Sequence, residues 1–206
     1  MGSKFFSERN LRFLLYEIFD VVSLTRYDDY KEYDGKTLDM VLKAAMELAE
    51  GLLFPIFQEM DKSPPELVED QIKVHPSVKK FMEQCGEGGW IGAGMPFEWG
   101  GQQLPRMITI GCRFIFSAAN YSASVYPSLT SGAARLILSF GKEEMKRTYL
   151  PKMLSGKWQG TMALTEPEAG SSLSDITTMA EPTESDYYKI RGQKIFISAG
   201  DHDAVE

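Results

Sequence analysis

The sequence predicts a mainly α-helical domain followed by the opening strands of a β domain. Three observations carry this expectation. Apolar residues recur at i, i+3 and i+4 through roughly the first two-thirds of the chain, the rhythm of helices with one buried face. From Trp158 onward the pattern gives way to short runs rich in threonine, isoleucine and aromatic residues, which read as strands. The last run ends shortly before Glu206, and a few strands rarely make a stable sheet alone. The β part is therefore expected to be incomplete within these residues, finished by a longer parent chain or by a partner.

Each element has its own signal. Leu11, Leu14, Leu15, Ile18, Phe19 and Val22 form one face of a first helix, with Ser7 as its N-cap. That helix is expected to pack on a second subunit or on its own domain. The aromatic and acidic stretch Tyr27 to Gly35 breaks the rhythm. Thr37 is the expected cap of a second helix, with Leu38, Val41, Leu42, Ala45, Leu48, Ala49 and Leu52 on one face, until Pro55 kinks or ends it. Ser63-Pro64-Pro65 reads as a linker. Pro76 sits at the first turn of the next helix, where its missing N–H costs nothing, and that helix stops before Gly86. Residues 88–101 hold six glycines, two tryptophans and Pro96. This segment is expected to be an ordered loop, since Trp90, Ile91, Met95, Phe97 and Trp99 have too much apolar surface to leave in water. Helices are expected again over Leu104–Ala123, Ser131–Phe140 and Lys142–Leu150. Strands are expected over 158–165, 176–180, 187–190 and 195–198, with a hairpin turn at Arg191–Lys194. The resulting division is an extension (1–36), a helical domain (37–157) and the beginning of a β domain (158–206).

Composition excludes several function classes. The chain has 206 residues, 43% hydrophobic and 25% charged, which suits a globular protein. No stretch reaches the roughly 18 apolar residues of a membrane span, and there is no signal-peptide core. A net charge of −7 with no basic block argues against nucleic acid as a partner. Two cysteines, Cys85 and Cys112, fit free thiols in a reducing compartment, so a cytoplasmic or other reducing intracellular location is expected. His75 and His202 are the only histidines and lie far apart, which argues against a histidine-based metal site or a Ser/His/Asp triad.

Four blocks carry chemistry. They are Gly89-Trp90-Ile91-Gly92 through Pro96, Trp99, Gly100 and Gly101; Ser139-Phe140-Gly141-Lys142 through Pro151; Met162-Ala163-Leu164-Thr165-Glu166-Pro167-Glu168-Ala169-Gly170-Ser171; and Gly192-Gln193-Lys194-Ile195-Phe196-Ile197-Ser198-Ala199-Gly200. Taken singly, Thr165 and Ser198 could be ordinary strand hydroxyls and Phe196 plain core. In this order and spacing the four blocks resemble the acyl-CoA dehydrogenase family. The resemblance implies that family's N-terminal helical domain followed by the first strands of its middle β-barrel domain. It implies FAD as cofactor, with Met162, Leu164, Thr165, Gly170, Phe196 and Ser198 at the flavin. Ser198 would offer its hydroxyl to N5, where many relatives have threonine, and Phe196 stands where tryptophan is common. Ser171 and Ser172 would meet the pantetheine arm of a CoA thioester, although Ser172 replaces an acidic residue common there.

The implied reaction is α,β-dehydrogenation of an acyl-CoA, as in fatty-acid β-oxidation. A carboxylate takes the α-proton and the β-hydride passes to the flavin. Electrons would then go to an electron-transferring flavoprotein, and the full-length protein would be a homo-oligomer. No catalytic residue is expected in this chain: Glu166 and Glu168 are not read as an acid–base pair, and the family's base lies in a later helical domain. The arm before Thr37 resembles that of larger relatives, including those acting on long-chain or methylthio-propanoyl thioesters. Two other readings are an acyl-CoA oxidase or related flavoenzyme on the same scaffold, and a non-catalytic helical assembly module.

Overall fold

The computed structural model describes residues 4–206. Helices dominate, and the only sheets among the described residues are two short antiparallel hairpins. Helix α1 (Glu8–Arg12) starts where Ser7 accepts a hydrogen bond from the Asn10 N–H at 3.3 Å. It runs on into a π-helical stretch, Phe13–Ile18, and Asp20 then turns left-handed at φ 43°. The regular face expected over Leu11–Val22 is therefore not formed. A π turn shifts the register of side chains relative to an α-helix. Leu15 and Val21 are buried, whereas Leu14, Ile18, Phe19 and Val22 stay exposed.

Helix α2 (Gly35–Leu48) is capped by Asp34 rather than Thr37. The Asp34 carboxylate accepts from both the Thr37 N–H (2.6 Å) and its hydroxyl (2.7 Å), the ordinary way to satisfy a first-turn donor. A π-helical stretch, Ala49–Leu53, precedes α3 (Phe54–Lys62), and Pro55 falls in the first turn of α3. The expected break at Pro55 is thus absorbed by a change of helix type, with the ring placed where no N–H is needed.

Strands β1 (Glu66–Val68) and β2 (Gln71–Lys73) form a hairpin where a linker is expected. Its two-residue turn places Glu69 (φ 48°) and Asp70 (φ 62°) left-handed, a turn whose twist suits a hairpin. Helix α4 (Ser77–Glu87) continues through Gly86, so that glycine is not a stop. The loop after α4 is ordered, with Ile91 and Met95 fully buried.

Asn120 interrupts the predicted Leu104–Ala123 helix. Helix α5 (Arg106–Ala119) ends there, and α6 (Tyr121–Phe140) begins immediately, twice the expected length and with Pro127 inside. Asn120 is extended, its side-chain oxygen accepts from the Ala123 N–H at 3.1 Å, and its amide reaches the Leu53 carbonyl at 3.4 Å. Helix α7 (Glu143–Leu154) runs through Pro151 into a last turn. The core joins Leu38, Leu42, Phe81, Met82, Ile108, Ile115 and Leu150.

The β part departs most from expectation. Strands β3 (Met179–Pro182) and β4 (Tyr188–Arg191) pair antiparallel, so the hairpin connection is 183–187 and not Arg191–Lys194. Residues 158–165 and 195–198 run side by side without a ladder. Phe196 (φ 56°) and Ala199 (φ 50°) are left-handed, and a strand cannot keep its hydrogen-bond register through such residues. No helix among the described residues is long and apolar enough to cross a membrane.

Two glycines set how α4 meets the end of α7. A Cβ at Gly86 would lie 2.0 Å from the Ser155 carbonyl oxygen, and one at Gly156 would lie 2.4 Å from that of Met82. Gly132, in α6, has nothing within 4 Å of that position. Gly86→Ala is expected to destabilise by about 1–3 kcal/mol or more, and Gly132→Ala to stabilise by about 0.5–1 kcal/mol. Urea unfolding of the two variants measures this; equal midpoints would contradict the packing described.

Candidate functional site

A cavity of about 550 Å³ lies between α5, α6 and the glycine-rich loop. Its floor is apolar and rigid. Trp90 and Phe116 meet edge to face with centroids 5.3 Å apart, and Phe81 holds Phe116 from behind at 5.7 Å. Cys85 and Cys112 line the same space. Burial pushes both thiols above their ordinary pKa, so they remain neutral and act as small apolar groups. Ser124, Ser128 and Ser131 contribute hydroxyls from α6, and Arg106, Thr109 and Arg113 face the space from α5. Arg135 completes the rim from α6.

The chain is drawn to this cavity at Gly160. The Gly160 N–H donates to the Thr130 hydroxyl at 3.2 Å, and Gln159 donates its amide to the Tyr126 carbonyl at 3.2 Å. A Cβ at Gly160 would lie 2.5 Å from Ala133 Cβ, so only glycine permits this close crossing of α6. The next residues, Thr161 and Met162, consequently stand at the cavity edge.

The other sequence-predicted residues lie along one exposed strip. Met162 is 61% exposed, Leu164 39% and Phe196 85%. Segments 161–165 and 195–198 are joined by the Ile195 N–H donating to the Thr165 carbonyl at 2.9 Å, and by the Thr161 hydroxyl donating to the Ser198 carbonyl. Thr165 is thereby set opposite Ile195 and Ser198 opposite Thr161, and neither the Thr165 nor the Ser198 hydroxyl has a partner among the described residues. Gly170, Ser171 and Ser172 lie in an exposed turn beyond this strip, outside the cavity lining. Sequence reasoning missed Arg106, Thr109, Arg113 and Arg135. The first three fall at i, i+3 and i+7 on one helical face, a spacing present in the helix expected over Leu104–Ala123, but the sequence does not show that this face borders a cavity.

Comparison with known proteins decides the family. The profile of the acyl-CoA dehydrogenase N-terminal domain matches residues 35–157. The chain belongs to the acyl-CoA dehydrogenase family. It is 34% identical over 155 residues to a 3-methylmercaptopropionyl-CoA dehydrogenase of Ruegeria pomeroyi, covering 75% of this chain and 26% of that protein. It is 33% identical over 213 residues to a butyryl-CoA dehydrogenase of Syntrophomonas wolfei subsp. wolfei, covering 95% and 33%. An acyl-CoA dehydrogenase of Bacillus anthracis solved in complex with FAD superposes with a TM-score of 0.66 at 26% identity, covering 81% of this chain and 27% of that one. The chain thus spans about a quarter to a third of the length of these relatives.

Within this chain the strip is held by one buried carboxylate. Glu166 accepts from the Thr177 N–H (2.7 Å), the Thr177 hydroxyl (2.9 Å), the Thr178 N–H (3.0 Å) and the Lys194 ammonium (2.7 Å). Lys194 also donates to the Leu164 carbonyl at 2.9 Å. One ion pair therefore ties the residues after Thr165 to those before Phe196. The Lys194 ammonium first, with the donors of Thr178 and Thr177, holds the Glu166 carboxyl far below the usual carboxylate range. Its lone pairs are engaged by these donors.

A carboxyl depressed in the folded state contributes stability above its unfolded pKa and loses it as pH falls. Glu166→Gln is expected to lower the thermal midpoint at neutral pH, with the gap to wild type closing as pH drops through and below the ordinary carboxylate range. A gap that stays constant down the acid limb would contradict the clamp.

Proposed function

We propose that this chain supplies one wall of the flavin and thioester site of an enzyme that carries out FAD-dependent α,β-dehydrogenation of an acyl-CoA. The observation that carries the reading is that the cavity lining reaches Thr161 and Met162, where the strip that leads to Thr165 begins. An apolar cavity suits an acyl chain, and it opens beside the residues that the family resemblance assigns to the flavin.

The residues fit that group. Met162, Leu164 and Phe196 leave apolar surface uncovered, which a flat aromatic ring system would bury. Thr165 and Ser198 offer unpartnered hydroxyls, the groups an isoalloxazine edge needs. Bound there, FAD supplies the hydride acceptor. The protein residues do the rest. Leu164, Met162 and Phe196 exclude water from the ring, and the hydroxyls of Thr165 and Ser198 orient its polar edge. Gly170, with no Cβ, leaves the backbone open to close approach, and Ser171 and Ser172 meet the pantetheine arm. The base that takes the α-proton comes from another part of the whole enzyme.

The family match over 35–157 supports a division into an extension (1–36), a helical domain (37–157) and the beginning of the β domain (158–206). We take electron transfer to an electron-transferring flavoprotein, homo-oligomeric assembly and a cytoplasmic location from the same family reading. The likeness to the Ruegeria protein supports a place among the larger members, with a thioether-bearing or short linear thioester as one candidate substrate.

The test is FAD titration followed by flavin fluorescence, on the protein that carries these residues. Thr165→Ala and Ser198→Ala are each expected to weaken FAD binding by about five- to tenfold, the loss of one hydrogen bond worth about 1 kcal/mol. Anaerobic addition of an acyl-CoA is expected to bleach the flavin band. Unchanged FAD affinity in both variants, or no FAD binding by the parent protein, would overturn the assignment.

A further inference from the structure

The cavity has a charge pattern that a plain acyl chain does not require. Arg106 and Arg113 reach it from α5 and Arg135 from α6, and none of the residues lining it is acidic. The chain as a whole carries 29 acidic against 22 basic residues. Some basic groups elsewhere are paired: Arg12 bridges Glu8 and Asp39, and Lys194 holds Glu166. The three cavity arginines have no carboxylate partner among the described residues.

The rim is also shaped. Gly94 stands where α5 and α6 approach the loop, and a Cβ there would lie 3.4 Å from both Arg135 Nη2 and Thr109 Cγ2. Arg135 lies across this glycine, and its Nη2 meets the Gly94 carbonyl only at 3.5 Å. That contact leaves most of its five donors free. Arg106, Thr109 and Arg113 share one face of α5 and border the same opening; the Thr109 methyl faces Gly94, and its hydroxyl donates to the Arg106 carbonyl at 2.9 Å. A guanidinium presents a planar fork that matches carboxylate and phosphate oxygens. Three forks without an acid of their own make an electropositive mouth over an apolar floor.

We propose that the mouth of this cavity binds an oxyanion carried by the thioester, with Arg106, Arg113 and Arg135 as its donors. The inference rests on the reading of the cavity as the thioester site. It names the substrate class as thioesters whose acyl group ends in an acid. A phosphate of the CoA moiety has the same chemistry, and the experiment separates the two sources.

Binding of glutaryl-CoA and pentanoyl-CoA, which share a five-carbon acyl chain and differ in a terminal carboxylate, is measured by calorimetry. The dephospho-CoA forms of both are measured beside them. The proteins are the parent and the triple variant Arg106→Gln, Arg113→Gln, Arg135→Gln, with Arg→Lys at the same positions as the charge-preserving control. Circular dichroism and FAD affinity, both expected to be unchanged, report an intact fold and flavin site. The expected result is glutaryl-CoA binding on the order of tenfold or more tighter than pentanoyl-CoA in the parent. That preference should be absent in the glutamine variant and partly restored by lysine. Equal weakening of both thioesters by the glutamine variant, matched in the parent by removal of the 3′-phosphate and absent when the variant meets the dephospho forms, keeps the oxyanion site and assigns it to the CoA phosphate. Equal affinity of parent and glutamine variant for every thioester overturns this inference and leaves the proposed function standing. No thioester binding by the parent overturns both.

Discussion

Helix α5 is pressed on one side by α2 and by the π-helical stretch before α3, and on another by α6. Ile108, Ile115 and Phe116 are buried in these contacts, each worth about 1.5–3 kcal/mol of apolar burial. Gly111 lets the neighbours close in: a Cβ there would stand 3.3 Å from Leu42 and 3.4 Å from Leu15. With its core face fixed in this way, α5 has one face left, and that face carries Arg106, Thr109 and Arg113. The cavity is the space this helix cannot fill against α6, because Asn120 turns the chain between them within a single residue. Core packing and ligand space are two sides of the same helix.

The β part depends on that frame rather than on a sheet of its own. Gly160 crosses α6 at a distance only glycine allows, and Thr130 holds its N–H. From there the chain runs out along the cavity edge to Thr165. Glu166 then fixes the path of the chain beyond it, because its carboxylate collects donors from Thr177, Thr178 and Lys194. The clamp explains how the segments that carry Thr165 and Ser198 run side by side without a strand ladder between them. It also explains why Met162, Leu164 and Phe196 can remain uncovered: the backbone around them is held by polar contacts and not by burial of those side chains.

Much of this was legible in the sequence, and the misses have physical causes. Helical periodicity located α2, α4, α5 and α7 because their buried faces keep a regular repeat. The same reasoning failed over Phe13–Ile18, where π geometry changes which residues share a face, and at Asn120, whose capping role is carried by one side chain. Pro127 and Pro151 lie inside α6 and α7, so neither residue ends its helix. The hairpin β1–β2 was hidden by Pro64-Pro65, although Glu69-Asp70 between Leu67-Val68 and Ile72 is a two-residue turn pattern. The flavin-strip residues were named from family resemblance and not from periodicity. The left-handed Phe196 shows why a strand pattern alone misplaces them. The arginine rim needed tertiary structure, since Arg135 meets the α5 face only across Gly94.

The functional proposals above require the α5–α6 cavity and the strip from Thr161 to Thr165 to act as one ligand surface. Amide hydrogen exchange with and without a bound acyl-CoA tests it most directly. Slowed exchange is expected in α5 around Thr109 to Arg113, in α6 around Ser128 to Ser131, and at Thr161 to Thr165 together. A second cavity of about 620 Å³ lies between α4 and the end of α7, lined by Lys79, Lys152 and Trp158. Protection confined to that cavity, with none on α5 or the strip, would contradict a single surface.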